Sequence, residues 1–142
     1  MIKKLFFIVG ILFLTACTPS QKISVNDSEK DFQRKIECAK YVKDAEKKVE
    51  EYGKEISGEK NISWPNMEKV FYSPKVNSCL FVWSNNMMEI KNGKSHNRVD
   101  RGVNDILSGE EIVREIYIEG DSSLGNENEM TERFSQKLHA LE

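Results

Sequence analysis

Apolar residues spaced three and four apart form the longest pattern in the chain. Phe32, Ile36, Ala39, Val42, Ala45, Val49, Tyr52 and Ile56 recur at helical steps, which predicts one long amphipathic helix from Ser28 onward. Asp27 or Ser28 can cap its start, and Glu29 and Asp31 suit the positive end of the helix dipole. Asp31–Lys35, Asp44–Lys48 and Glu50–Lys54 place an acid four residues before a base on the wet side. Gly53 weakens the last turns and Gly58 is the expected stop. Residues 43–60 are dense in charge, which a solvated helix face explains more simply than a partner-binding surface.

After Trp64-Pro65 the pattern changes to β-branched and aromatic residues. Residues 67–72 (MEKVFY) and 78–83 (SCLFVW) flank Ser73-Pro74-Lys75-Val76-Asn77, a hairpin signature with a longer loop. Cys79, Phe81 and Trp83 alternate with Leu80 and Val82, so Cys79 takes a definite face of its strand. The helix that carries Cys38 is expected to pack on that face. Residues 85–98 read as a loop, with Asn92-Gly93 a turn and a short strand around Met87, Met88 and Ile90. Residues 103–107 and 112–118 bracket Ser108-Gly109-Glu110-Glu111 as a second hairpin. Residues 112–118 also fit a helix, because Ser108 and Glu111 have capping-box spacing. Their β-branched content favours a strand narrowly. Residues 120–128 read as a polar linker, and Met130, Phe134, Leu138 and Leu141 then mark a terminal helix. Together these elements predict an α+β fold: a long N-terminal helix packed on a small antiparallel sheet of hairpins, with a C-terminal helix.

The chain has 142 residues, the size of one domain, and its start stands apart from the rest. Lys3 and Lys4 precede an unbroken apolar run over residues 5–14. A helical span needs about 20 apolar residues, so this run is too short to cross a bilayer. A charged start, a short apolar core and small residues have the layout of a secretory signal. Leu14-Thr15-Ala16-Cys17 then resembles the lipobox of bacterial lipoproteins, with a branched apolar residue three positions before the cysteine and a small one just before it. That resemblance implies cleavage after Ala16, a diacylglyceryl thioether on Cys17 and acylation of the new amino terminus. It divides the chain into a signal over 1–16, a lipidated flexible tether over 17–27 and one domain over 28–142. Several acyl chains on Cys17 would hold the domain stably on a membrane. By the same resemblance, Thr18 is not the aspartate that retains lipoproteins in the inner membrane, which implies an outer-membrane address in a diderm cell. A shorter likeness lies in Tyr72-Ser73-Pro74-Lys75 and Asn77-Ser78-Cys79-Leu80. This phrase resembles one in uncharacterised small bacterial proteins, implying a shared scaffold and no particular activity.

Export bears on the remaining cysteines. Of three in the chain, the lipobox uses one, leaving Cys38 and Cys79 as a disulfide pair in an oxidising compartment. A bond between them would close a loop of about 40 residues, for which chain entropy suggests roughly 3 to 4 kcal/mol. Redox spacing such as C-x-x-C is absent, and His96 and His139 lack the paired spacing of a zinc site. Free or catalytic thiols remain the rival reading.

Charge adds one exclusion. Without residues 1–16 the chain loses two of its 21 basic residues and none of its 23 acidic ones, for a balance of −4. A mildly acidic domain argues against nucleic acid as a partner. Catalytic signatures are sparse: there is no G-x-S-x-G elbow, Walker loop, H-E-x-x-H or dinucleotide glycine pattern. Ser95-His96 with Asp100 has the residue types of a triad, but neighbours in sequence rarely converge, and His96 reads as a loop histidine. His139 reads as a cation near the end of the terminal helix. Glu110-Glu111 and Glu127 with Glu129 are the visible acidic clusters, read as solubilising turn residues. Trp64, Phe71, Tyr72, Phe81 and Trp83 could form a binding face, although core packing is their ordinary role.

The expected function is therefore a non-catalytic binding or structural lipoprotein. It would be joined to a membrane through Cys17, with an envelope protein or cell-wall polymer as partner and no cofactor or metal. The alternative is a small envelope hydrolase using carboxylates that only the fold could pair.

Overall fold

The structure is a computed structural model that describes the backbone of residues 25–142 and side chains from Ser28. The signal, Cys17 and Thr18 lie outside the described residues. Helices α1 (Val25–Ala39) and α2 (Val42–Ile56) precede four strands, β1 (Asn61–Ser73), β2 (Ser78–Lys91), β3 (Lys94–Asp105) and β4 (Glu111–Ile118). A short 3-10 turn at Ser122–Leu124 leads to helix α3 (Glu127–His139). The strands form one antiparallel sheet in the order β1-β2-β3-β4, so the fold is α+β.

Alternation along β2 divides the core. Phe81 and Trp83 meet Ala45 and Val49 of α2, with Cys79 beside them, while Leu80 and Val82 meet Phe134 of α3. The sheet is thus covered by α1 and α2 on one face and by α3 on the other. Helix α3 begins at Glu127, inside the segment expected to be linker. A capping box holds it there: the Asn126 side chain accepts from Glu129 N–H while the Glu129 carboxylate takes the Asn126 N–H. Residues 112–118 are strand, as their β-branched content favoured.

Cys38 and Cys79 are disulfide-bonded, with Cα atoms 5.3 Å apart. The bond joins the end of α1 to the start of β2, on the face expected for Cys79.

The single helix expected over residues 28–56 is instead two, and α1 is already helical at Val25, the first described residue. Lys40 N–H and Tyr41 N–H donate to Glu37 O and Cys38 O at 3.1 and 3.0 Å, closing α1 with tight turns. Tyr41 leaves the helical region (φ −88°, ψ 3°), and its carbonyl accepts from Ala45 N–H to begin α2. Neither glycine nor proline marks the break. The apolar spacing, however, contained it. Ile36 to Ala39 to Val42 to Ala45 is three steps of three, each falling about 60° short of a turn. Phe32 and Ile36 therefore lie about half a turn away from Ala45 and Val49. The pattern joined two different faces.

Residues 85–98, expected as loop, are ladder. They continue β2 and β3 through the paired rows from Asn85↔Asp100 to Lys91↔Lys94. Asn92 and Gly93 both have positive φ (53° and 74°), the backbone of the two-residue hairpin turn that matches strand twist. Strand propensity is low for these asparagines, but their burial and cross-strand partners decide the outcome. Asn85 is fully buried and accepts from Ser63 Oγ at 2.8 Å. Pro65 lies within β1, an edge strand, where its missing N–H leaves no gap in the sheet.

Candidate functional site

The five aromatics weighed as one binding face are divided between the two sides of the sheet, mostly in the core-packing role that was their ordinary reading. Phe81 and Trp83 are buried under α2, and Phe71 packs on the opposite face against the α3 cluster. Tyr72 is buried; its hydroxyl donates to Asn77 Oδ1 at 2.7 Å and receives a hydrogen bond from Arg34. Trp64 alone of the five stands out in solvent, 53% exposed. The proposed binding face is corrected accordingly. Strand alternation sends neighbouring residues to opposite sides, so five aromatics on two strands could not form one surface.

Trp64 has apolar neighbours that the sequence did not group with it. It pairs with Asn86, which pairs with Val99, which pairs with Tyr117. Directly paired residues share a face, and Asn86 lies four residues from Val82, so this row is on the α3 side. Ile62↔Met88 forms the next row, and Ile90 follows Met88 by two residues. Ile62 and Ile90 are 48% and 45% exposed. Length explains why the patch is open. A helix of 13 residues spans about 20 Å, whereas the 14 residues of β2 run about 46 Å. Helix α3 covers the Leu80–Val82 end of the sheet and leaves the Trp64 end bare.

The α2 side of the same strands carries a buried charge cluster. Asp100 accepts from Arg98 Nε and Nη2 at 2.7 and 2.9 Å, from Arg114 Nη2 at 2.9 Å and from the Tyr52 hydroxyl at 3.1 Å. Arg114 Nη2 also donates to the Tyr52 oxygen at 2.8 Å. Burial opposes ionisation of Asp100, yet the hydrogen bonds from Arg98 and Arg114 outweigh it and hold the carboxyl below its ordinary value. Burial first, and then the Asp100 charge, raise the Tyr52 hydroxyl above its ordinary value. Asp100 is thus a permanent anion at neutral pH, with its oxygens taken by four hydrogen bonds from three residues. That is the chemistry of a brace between β3, β4 and α2, unlike that of a proton donor. Once β3 is recognised as a strand, Arg98 and Asp100 fall on one face two residues apart. The loop reading of residues 85–98 hid this.

Beside the cluster a groove of about 200 Å³ opens between α2 and β4, with Lys48, Tyr52, Phe81, Trp83, Asn104 and Glu111 on its walls. Its polar groups are largely engaged already. Lys48 Nζ donates to Ile106 O at 2.6 Å, Trp83 Nε1 donates to Asn104 Oδ1 at 2.7 Å, and Glu111 pairs with Arg114.

The remaining candidates separate. His96 lies on β3 opposite Glu89, a correction to its loop placement, and its face is opposite to that of Ser95. Asp100 is four residues further along the strand, about 13 Å away, so Ser95, His96 and Asp100 do not converge. Glu110 is exposed in the β3–β4 turn, Glu111 pairs with Arg114, Glu127 opens α3 and Glu129 caps it. His139 stands in the last turn of α3, where a cation is expected. Among the described residues no cluster of three His, Cys, Asp or Glu could hold a metal ion, and no helix is long and apolar enough to cross a membrane. No protein-family model matches the chain, and no match is found among curated proteins or solved structures.

Proposed function

We propose that this chain is a membrane-tethered lipoprotein of the cell envelope whose domain binds a protein partner without catalysing a reaction. The observation that carries the binding role is the bare apolar end of the sheet, where Ile62, Trp64 and Ile90 stand about half exposed. Contiguous exposed apolar surface in a folded domain marks interaction sites, and an aromatic anchor among aliphatic neighbours is the usual energetic centre of a protein interface. The tether rests on the likeness of Leu14-Thr15-Ala16-Cys17 to the lipobox.

Two measurements test the two halves separately. Metabolic labelling with an acyl precursor should mark the wild-type chain and fail to mark Cys17→Ser; labelling of that variant would remove the tether. A photoreactive residue in place of Trp64 should crosslink a discrete envelope protein in living cells. One in place of Gln136, exposed on α3, should not. Equal crosslinking from both positions would remove the Trp64 patch as the binding surface.

A further inference from the structure

Helix α1 is held to the body by its polar side. Cys38 is 1% exposed and bonded to Cys79. One turn earlier, Arg34 lies over the Tyr72 ring, 5.2 Å from its centroid, and donates to Asn77 Oδ1 at 2.7 Å. Phe32 and Ile36 flank Arg34 by two residues, about 200° around the helix, and are 56% and 44% exposed. Ala39, on the same side, is exposed as well. The apolar stripe of an amphipathic helix thus points outward, although the domain has a core available. A helix docked by its apolar stripe would be the ordinary arrangement; here the disulfide and the Arg34 contacts hold the opposite one.

We infer that the outward face of α1 lies on the lipid bilayer that carries the tether, with Phe32 and Ile36 at the boundary between headgroups and acyl chains. This rests on the proposed lipidation of Cys17. From Cys17 to Val25 is eight residues, which reach at most about 28 Å when fully extended. The first described element after the lipid therefore stays within reach of the membrane surface, and it is the element with its apolar side bare. A helix lying in the interface buries its apolar face at that depth. Lys35, three residues after Phe32, and Lys40, four after Ile36, border the stripe. Their stems can lie along apolar surface while the ammonium groups meet headgroup phosphates. Glu29 also adjoins Phe32, hydrogen-bonded to Gln33, so the face has no strong basic bias and calls for no anionic lipid. The placement orients the whole domain. Cys79 is near the membrane, and Ile90, eleven residues along β2, lies about 36 Å away along the strand, so the Trp64 patch is at the other end of the sheet from this contact.

The test uses the full lipid-modified chain in phosphatidylcholine vesicles, with and without phosphatidylcholine brominated on its acyl chains. Phe32→Trp and Ile36→Trp, both at exposed positions, add a reporter to Trp64 and Trp83. Flotation with the vesicles and at least a two-fold loss of the added emission in brominated lipid is the expected result. Glu37→Trp, at an exposed position that lines a cleft with Arg34 and Tyr72 on the flank away from the stripe, should keep its emission. Flotation with unquenched emission at positions 32 and 36 would overturn the docking and leave the tether standing, whether the face then proved to cover a second copy or a protein. Quenching at position 37 equal to that at 32 would overturn the orientation. A chain without lipid that stays in the dense fractions would overturn tether and docking together.

Discussion

The indole of Trp83 lies flat on Gly102, its direct partner across the β2–β3 ladder, and fills the space where a side chain at position 102 would begin. A Cβ there would fall inside contact distance of three indole atoms, so the indole would have to shift. That shift would disturb its contact with the Tyr52 ring, 4.9 Å away between centroids, and its hydrogen bond to Asn104. Gly102→Ala should therefore cost about 1 to 3 kcal/mol by overpacking. Urea unfolding measures it; an unchanged midpoint would show that the indole can move. Gly53 stands in the same relation to the Pro65 ring. Helix propensity alone would make Gly53→Ala stabilising by about 1 kcal/mol, and the contact predicts a loss instead.

The disulfide between Cys38 and Cys79 holds α1 to the sheet and closes a loop with a sequence separation of 41. Replacing both cysteines with alanine should lower stability by about 2 to 4 kcal/mol. It should also expose Arg34 and Lys35 to trypsin, because α1 buries little else against the body. Thiol titration of the folded domain should find no reactive group at either position. Two titratable thiols would refute the bond.

Asp100 makes the domain acid-sensitive. Its folded pKa lies below the ordinary value, so its contribution is complete above the unfolded value of about 3.9. The contribution is then lost as pH falls through the lower folded value. Unfolding midpoints should be flat from pH 7 to 5 and fall below about pH 4. Asp100→Asn leaves two partly buried arginines without their anion and should cost about 3 to 5 kcal/mol at pH 7. It should also reduce the fall at low pH. Some acid sensitivity should persist through Glu115, whose carboxyl is also lowered, burial being outweighed by Lys137 and Arg133. An acid dependence identical to wild type would mean that Asp100 is not the group responsible.

The two tryptophans should behave oppositely. Trp83→Ala removes a buried ring and should cost about 3 to 5 kcal/mol. Trp64→Ala removes an exposed one and should change stability by no more than about 0.5 kcal/mol, while abolishing partner crosslinking from a photoreactive residue placed at Ile90. Calorimetric melting of both variants checks the contrast; a large stability loss from Trp64→Ala would make that residue structural.

Short-range patterns in the residues alone determined the α+β class, both hairpins, the Asn92-Gly93 turn, the terminal helix and the Cys38–Cys79 pair. Turn backbone and local periodicity depend on a few adjacent residues, and with one cysteine assigned to the lipobox only one pair remained. Only tertiary structure decided that residues 85–98 are strand, because Asn85 and Asp100 are kept there by cross-strand partners that no local window contains. The change of face before Tyr41 was present in the spacing; since helical spacing records angle alone, which side finds a core, and so the break itself, was decided by the tertiary structure. It also set the aromatics apart: Phe81 and Trp83 are buried because α2 lies over them, and Trp64 is bare because α3 stops short.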